Sequence, residues 1–246
     1  MAQPDRERGT LVMFPLVVEN LVVEFQGKHI LGPVDLRVYK GDIAVILGPN
    51  GSGKTSLLKA LHGILKLNLG TVRWSCLKTE SIGKQMFVFQ TPIMLRRSVL
   101  ENLTYPLLLR KIPKAEAKRR ATEWLDKIDL SASTQVPATR ISGGEKQKLA
   151  LARALITEPE MLFLDEPCAS LDGKTTNEIE NILQNCVDNG TTIMMSTHDI
   201  GQAKRLAKNI YFLNKGKLES IQAAKTFFVQ PSSHNASKFI AGDILE

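Results

Sequence analysis

Hydrophobic positions along the chain change their period as the chain proceeds, and each change predicts an element. Near the start, LVVENLVVEF (residues 16–25) and VDLRV (34–38) carry the apolar, β-branched pattern of strands, with Gly32-Pro33 as a turn between them. IAVIL, from Ile43 to Leu47, is wholly apolar and predicts a strand buried on both faces. A glycine-rich turn follows, then SLLKALHGIL, whose Leu57, Leu58, Leu61 and Leu65 recur at helical spacing. From about Gln90 to Ser142 the pattern is helical. Ser98 and Glu101 form a capping box ahead of NLTYPLLLRK, and a second helix runs from Pro113 to Lys127. Strand patterns return at MLFL (161–164), TTIMMS (191–196) and IYFL (210–213), separated by helical segments. Among these, Ile179, Ile182, Leu183, Cys186 and Val187 form the clearest apolar stripe. Strands alternating with helices imply a parallel sheet, and the stretch after Gln90 reads as a helical lobe inserted in it.

Composition narrows the class. With 43% hydrophobic and 23% charged residues the 246-residue chain falls among ordinary globular proteins and outside disordered or collagen-like ones. No window approaches the roughly 18 consecutive apolar residues that span a bilayer, and MAQPDRERGT lacks the apolar stretch of a secretory signal. The expectation is a cytoplasmic chain. Cys76, Cys168 and Cys186 have neither even count nor metal-like spacing, so reduced thiols are expected. The formal charge of +7 is spread among acidic residues, and its densest run, KAEAKRR (114–120), precedes Trp124, Leu125 and Ile128 as the solvated face of an amphipathic helix. No nucleic-acid partner is expected.

Gly48-Pro49-Asn50-Gly51-Ser52-Gly53-Lys54-Thr55 satisfies the phosphate-loop pattern G-x-x-x-x-G-K-[ST] in full, between a predicted strand and helix. Glycines let the backbone wrap phosphates so that successive N–H groups point inward, and the helix start adds its positive dipole end. Lys54 would reach the β- and γ-phosphates, and the Thr55 hydroxyl would ligate Mg²⁺. A plain strand-to-helix turn needs a glycine but has no use for Lys-Thr at this place. Downstream, MLFLDEP puts Asp165 and Glu166 directly after an apolar strand, at the end where ligands collect in open parallel sheets. Asp165 would hold Mg²⁺ there, and Glu166 would polarise the attacking water as general base. The competing reading is a solvated strand end with two chance acids.

Ile141-Ser142-Gly143-Gly144-Glu145-Lys146-Gln147 resembles the LSGGQ signature of the ABC ATPase family, with Ile and Glu as tolerated variants. From the residues alone, Ser142 and Glu145 also make a capping box opening the helix KQKLALARAL, and the two readings are compatible. Further pieces are similar to the family's motifs and occur in its order: Gln90 in FVFQTP, Ser170-Leu171-Asp172, and His198 in STHD. Taken singly, His198 reads as a satisfied strand-end histidine and Gln90 as a surface amide. Phe25 matches the place where the family stacks an aromatic ring on adenine, with a core phenylalanine as the rival.

The resemblance covers essentially the whole chain. It implies an α/β P-loop NTPase of the ABC ATPase type, with a mainly parallel sheet core, an N-terminal antiparallel β part and an inserted helical lobe. It further implies a single domain over residues 14–246, with the core at 14–89 and 156–246, the lobe at 90–155, and a flexible N-terminus at 1–13. ATP and Mg²⁺ are the implied ligands, held by the loop through Ser56, by Gln90 and Asp165 at the metal, and by Ser142, Gly143, Gly144, Glu145 and Asp172 across a head-to-tail dimer. Glu166, His198, Gln90 and Lys54 are the implied catalytic set. Membrane permease subunits would contact the loop after Gln90, including Thr91, Pro92 and Ile93, and a solute-binding protein would act indirectly. A lone cassette without a fused span is similar to prokaryotic importer subunits, peripheral on the inner face of the membrane. PIMLRRSVLENLTYPL and FFVQPSSHNASKFIAG are similar to tungstate and other oxyanion importers. An exporter cassette, or a soluble family member acting on nucleic acid or ribosomes, remains the alternative. Against the latter stand the absence of sustained heptads in the insert and the presence of one cassette only.

Overall fold

The computed structural model describes residues 13–243; the flexible N-terminus expected at 1–13 falls, up to residue 12, outside the described residues. In chain order the elements are β1 (Leu16–Phe25), β2 (Lys28–Val38), β3 (Ile43–Leu47), α1 (Lys54–His62), β4 (Leu69–Arg73), α2 (Lys78–Ile82), β5 (Gln85–Val88), α3 (Val99–Leu109) and α4 (Lys114–Lys127). There follow α5 (Gly143–Leu155), β6 (Met161–Asp165), α6 (Gly173–Asp188), β7 (Thr192–Thr197), α7 (Ile200–Leu206), β8 (Asn209–Asn214), β9 (Lys217–Ala223), α8 (Ala224–Phe227) and α9 (His234–Ala241).

Two sheets form. An antiparallel sheet has the order β2-β1-β4, and a second has the order β5-β6-β7-β3-β8-β9, parallel except for the β8–β9 pair. All five residues of β3 are buried, as its uninterrupted apolar sequence requires of a strand covered on both faces. Alternation then divides them. Ala44 and Ile46 face a core shared with the antiparallel sheet and with Leu57, Leu58 and Leu61 of α1, whereas Ile43, Val45 and Leu47 face a core built with Leu151 and Leu155 of α5 and Ile179 and Leu183 of α6.

A third core, of Val99, Leu103, Leu107, Ala117, Ala121, Leu125 and Leu149, holds α3, α4 and α5 together. Ser98 and Glu101 make the expected capping box at the start of α3. The basic face of α4 is exposed and paired within itself, Glu116 receiving Arg119 and Arg120, each at 2.7 Å. Those two guanidiniums hold the Glu116 carboxyl at about 2, well below its ordinary value.

The turn expected at Gly32-Pro33 is not there. β2 runs through both residues, and the reversal lies at Gln26-Gly27, where both residues take positive φ (50° and 73°) and Phe25 pairs with Lys28. Such a two-residue reversal matches the twist of the flanking strands. Gly32 stays in place because its N–H donates to the Gly216 carbonyl at 2.8 Å.

Candidate functional site

The parallel register brings three strand ends to one crevice. β7 lies between β3 and β6, pairing Leu47 with Thr197 and Asp165 with Ser196, so the segments after β3, β6 and β7 leave the sheet side by side. The first becomes the phosphate loop. The Ser52 N–H donates to the Pro49 carbonyl at 3.3 Å, Gly216 N–H closes on the Ser52 carbonyl at 2.9 Å, and Gly53, with φ of 103°, opens α1. A cavity of about 740 Å³ stands over it.

Asn50, Gly51, Gly53, Lys54, Thr55, Ser56, Gln90, Glu166 and His198 line that cavity, as do Cys168, Thr197 and Gln202. Lys54 is buried and its ammonium donates to the carbonyls of Gly48 and Pro49, each at 3.0 Å, with Glu166 Oε1 at 3.4 Å. Burial lowers its pKa from the ordinary value, and the Glu166 and Asp165 carboxylates pull it back up. Glu166 is the hub of the crevice: its Oε2 lies 3.4 Å from Gln90 Nε2 and 3.2 Å from His198 Nδ1. Its backbone sits at φ of 44°, a left-handed conformation that costs a non-glycine residue about 1–2 kcal/mol and is held only by its surroundings.

Beneath the lining, the Thr55 hydroxyl donates to Asp165 Oδ1 at 2.8 Å, and the Ser196 hydroxyl donates to the same oxygen at 2.8 Å. Among the described residues no cluster of three or more His, Cys, Asp or Glu side chains suits a metal. One carboxylate beside one hydroxyl and an amide fits a hard cation that takes its remaining oxygens from phosphate and water, the habit of Mg²⁺. Ser52 Oγ, buried in the loop without a partner, fits an occupant that brings acceptor oxygens.

Other predicted residues lie elsewhere. Phe25 is 62% exposed beside the hairpin tip and does not line the cavity, which removes its reading as a core residue. Ser142 caps α5 in the expected capping box with Glu145, and Gly143, Gly144, Glu145 and Asp172 also stay outside the cavity of their own chain. Asp172 caps α6, accepting from the Thr175 N–H and hydroxyl at 2.8 and 2.9 Å, bonds that lower its pKa. Gly144 packs on Thr175, and Lys148 Nζ reaches Glu178 at 2.9 Å, so the starts of α5 and α6 are tied together. Cys168 and Gln202 carried no motif, and Ser196 opens STHD without an expected role there; only the neighbours Asp165, Glu166 and His198 point to them.

The ABC transporter family model (ABC_tran) matches residues 31–169, more than half of the chain. The L-cystine transport system ATP-binding protein TcyN of Escherichia coli K12 is 32% identical over 95% of this chain and 100% of its own length. The tungstate uptake system ATP-binding protein TupC of Peptoclostridium acidaminophilum is 38% identical over 82% of this chain and 96% of its own. Among solved structures, cbiO1 from Clostridium perfringens, described as part of the ABC transporter complex cbiONQ, has a TM-score of 0.77 and 28% identity, covering 87% of this chain and 90% of that one. Phosphate loop, paired strand-end acids and capped glycine helix thus occur together in a chain that aligns with such subunits over 82–95% of its length, and the chain belongs to the ABC transporter family as one of its ATP-binding, ATP-hydrolysing subunits.

Proposed function

We propose that two copies of this chain close head to tail around ATP and drive permease subunits that import a small solute across the membrane. The observation that carries the reading is a division of parts. One chain's cavity holds Lys54, Thr55, Gln90, Glu166 and His198, while the capped start of α5 at Ser142–Glu145 lines no part of it. A glycine-flanked helix N-terminus is a second phosphate-binding element, and a partner's cavity is where it would find phosphate.

Within each site the loop from Gly48 to Ser56 cradles the phosphates, with Phe25 stacked on the base. Lys54 exchanges its contact with Glu166 for the β- and γ-phosphate oxygens. Thr55, Asp165 and Gln90 are the residues that would hold Mg²⁺, which would supply charge neutralisation at the β- and γ-phosphates. Glu166 takes a proton from water as that water's oxygen bonds to the γ-phosphorus and the bond to the β–γ bridging oxygen breaks, leaving ADP and phosphate. His198 and Gln90, both facing Glu166 Oε2, orient the carboxylate and the γ-phosphate. Ser142 and Gly144 of the partner complete the site. Closure follows because ATP binds the paired state better than the open one.

The reading places the chain at the cytoplasmic face, where ATP is available, beside separate permeases; no helix among the described residues is long and apolar enough to cross a membrane. An apolar groove lined by Phe87, Phe89, Pro92, Ile93, Tyr105 and Leu109 adjoins the loop after Gln90, with Ile93 and Leu109 exposed, and supports docking there. It lies where the lobe of residues 90–155 meets the core, so lobe rotation would move it. The named solutes of the relatives include L-cystine, arginine, tungstate and sulfate, consistent with cargo being chosen by partner proteins. The tungstate or oxyanion assignment rests on the relative TupC and on the two segments noted above.

The test is ATP-dependent dimerisation of the Glu166→Gln protein by light scattering, with Ser142→Arg as control. A dimer that forms only with ATP and disappears with the signature change is expected. Rapid phosphate release by Glu166→Gln would defeat the assignment of the base, and an ATP-bound monomer would defeat pairing of the isolated chain.

A further inference from the structure

Resting on that reading, we infer that Ser196 is a positioning residue for the hydrolytic site, holding the metal carboxylate and the catalytic base through one hydroxyl. Ser196 is wholly buried at the end of β7, between β3 and β6. Register places it directly beside Asp165. Its hydroxyl hydrogen is given to Asp165 Oδ1 at 2.8 Å, and its lone pair accepts the Glu166 N–H at 3.0 Å. A single oxygen therefore contacts two consecutive residues that have different tasks.

The two bonds do different things. The bond to Asp165 fixes the plane of the carboxylate. Thr55 also donates to Asp165 Oδ1, but its hydroxyl lines the cavity, whereas Ser196 is buried outside that lining. The bond from Glu166 N–H acts on the backbone. Glu166 has positive φ, and its N–H faces away from any ladder partner toward this one hydroxyl. Holding that N–H holds the left-handed turn that aims the Glu166 side chain at Lys54, Gln90 and His198. Residues on either side of Ser196 along β7 are apolar or face elsewhere: Met194 and Met195 enter the two cores, and Thr197 Oγ1 accepts from Asp199 N–H. Nothing else in the strand replaces the hydroxyl.

The experiment compares wild type, Ser196→Ala and Ser196→Cys as full-length proteins. Ser196→Ala removes the hydroxyl without adding atoms, and Ser196→Cys keeps nearly the same shape with a weak donor, so it serves if the alanine protein fails to fold. Four quantities are read: ATP affinity in EDTA, the Mn²⁺ midpoint of the ATP complex by electron paramagnetic resonance, kcat with saturating ATP and Mg²⁺, and the melting temperature. Loss of hydrogen bonds to a carboxylate and to a strained backbone should weaken the Mn²⁺ midpoint about tenfold and lower kcat by about tenfold or more. ATP affinity in EDTA should stay near wild type. A folded variant with unchanged Mn²⁺ midpoint and kcat overturns the inference. So does a variant whose ATP affinity in EDTA falls with its melting temperature while the metal midpoint stays, since that marks a packing role only. Failure of the parent reading looks different: wild type itself would bind no Mn²⁺ with ATP, or Glu166→Gln would turn over normally.

Discussion

Two glycines of the phosphate loop should fail on substitution for different physical reasons, and the difference is measurable. A Cβ on Gly48 would stand 2.0 Å from the Leu213 carbonyl oxygen and 3.1 Å from its carbon. Both atoms are backbone, in β8, which is fixed to β3 by pairs such as Leu47 with Phe212. Reaching even the shortest contact that real Cβ atoms make requires the loop and strand to part by about 1 Å, at the costly end of overpacking, about 3 kcal/mol. For a domain of this length that is a fall in melting temperature of roughly 6–12 °C. At Gly51 a Cβ meets nothing within 4 Å, and only the φ of 77° opposes a side chain. That strain is about 1 kcal/mol, or roughly 2–4 °C. Thermal melts of Gly48→Ala and Gly51→Ala without nucleotide decide the matter, with ATP titration alongside. Gly48→Ala should also lose ATP affinity, because the shifted carbonyls of Gly48 and Pro49 are those that receive Lys54. A Gly48→Ala protein melting within about 2 °C of wild type, or above Gly51→Ala, would refute the close-approach reasoning.

Two further outcomes follow from the same geometry. Phe25→Ala should weaken ATP binding by about tenfold in calorimetry while leaving the melting temperature nearly unchanged, because the ring is exposed; a large thermal loss with intact affinity would make it a packing residue. Glu145 has its pKa lowered from 4.5 by the Ser142 hydroxyl and N–H, so its ionised form stabilises the start of α5. That stability is fully present above 4.5 and is lost as pH falls through the lower folded value, so the amide-exchange protection factors at residues 142–146, corrected for the intrinsic rate at each pH, should fall below pH 4.5 in wild type but not in Glu145→Gln.

What was legible in the chain is what local chemistry determines. The all-apolar β3 and both capping boxes carry their outcomes in a few consecutive residues, and the structure has them as expected; the leucine spacing of α1 holds through Leu61, but the helix ends at His62, where Gly63 takes a left-handed φ of 91°, and Leu65 of the expected stripe lies beyond it. β4, α2 and β5 announced themselves less clearly: LGTVR is mostly exposed, KTESI is a single short turn of helix, and QMFV is four residues long. The two strands depend on pairing with β1 and β6, which lie far away in the chain. Gly32-Pro33 misleads for a related reason, since a strand tolerates proline where its neighbour asks nothing of the missing N–H. In the site, the motifs named many of the residues that touch the cavity, and STHD contains Ser196, but the contact of Ser196 with Asp165 and Glu166 comes from the register of β6 against β7, which no local pattern encodes.

The same distance from local pattern explains why a signature that lines nothing in its own chain can still be tied to that chain's cavity. The start of α6 lines the cavity through Thr176, just after Asp172 has capped the helix. Thr175, between them, bonds to Asp172 and carries Gly144 of the signature on its side chain, and Lys148 to Glu178 adds an ion pair one turn on. These side chains close a short rigid path from the chain's own site to the helix start that, in the proposed pair, serves the other. In the proposed pair, a change in how α6 sits against one nucleotide would therefore move the groups presented to the second, because packed helix starts shift together rather than deform. In that pair this path would couple the two sites, and the free energy of such coupling would act equally in both directions.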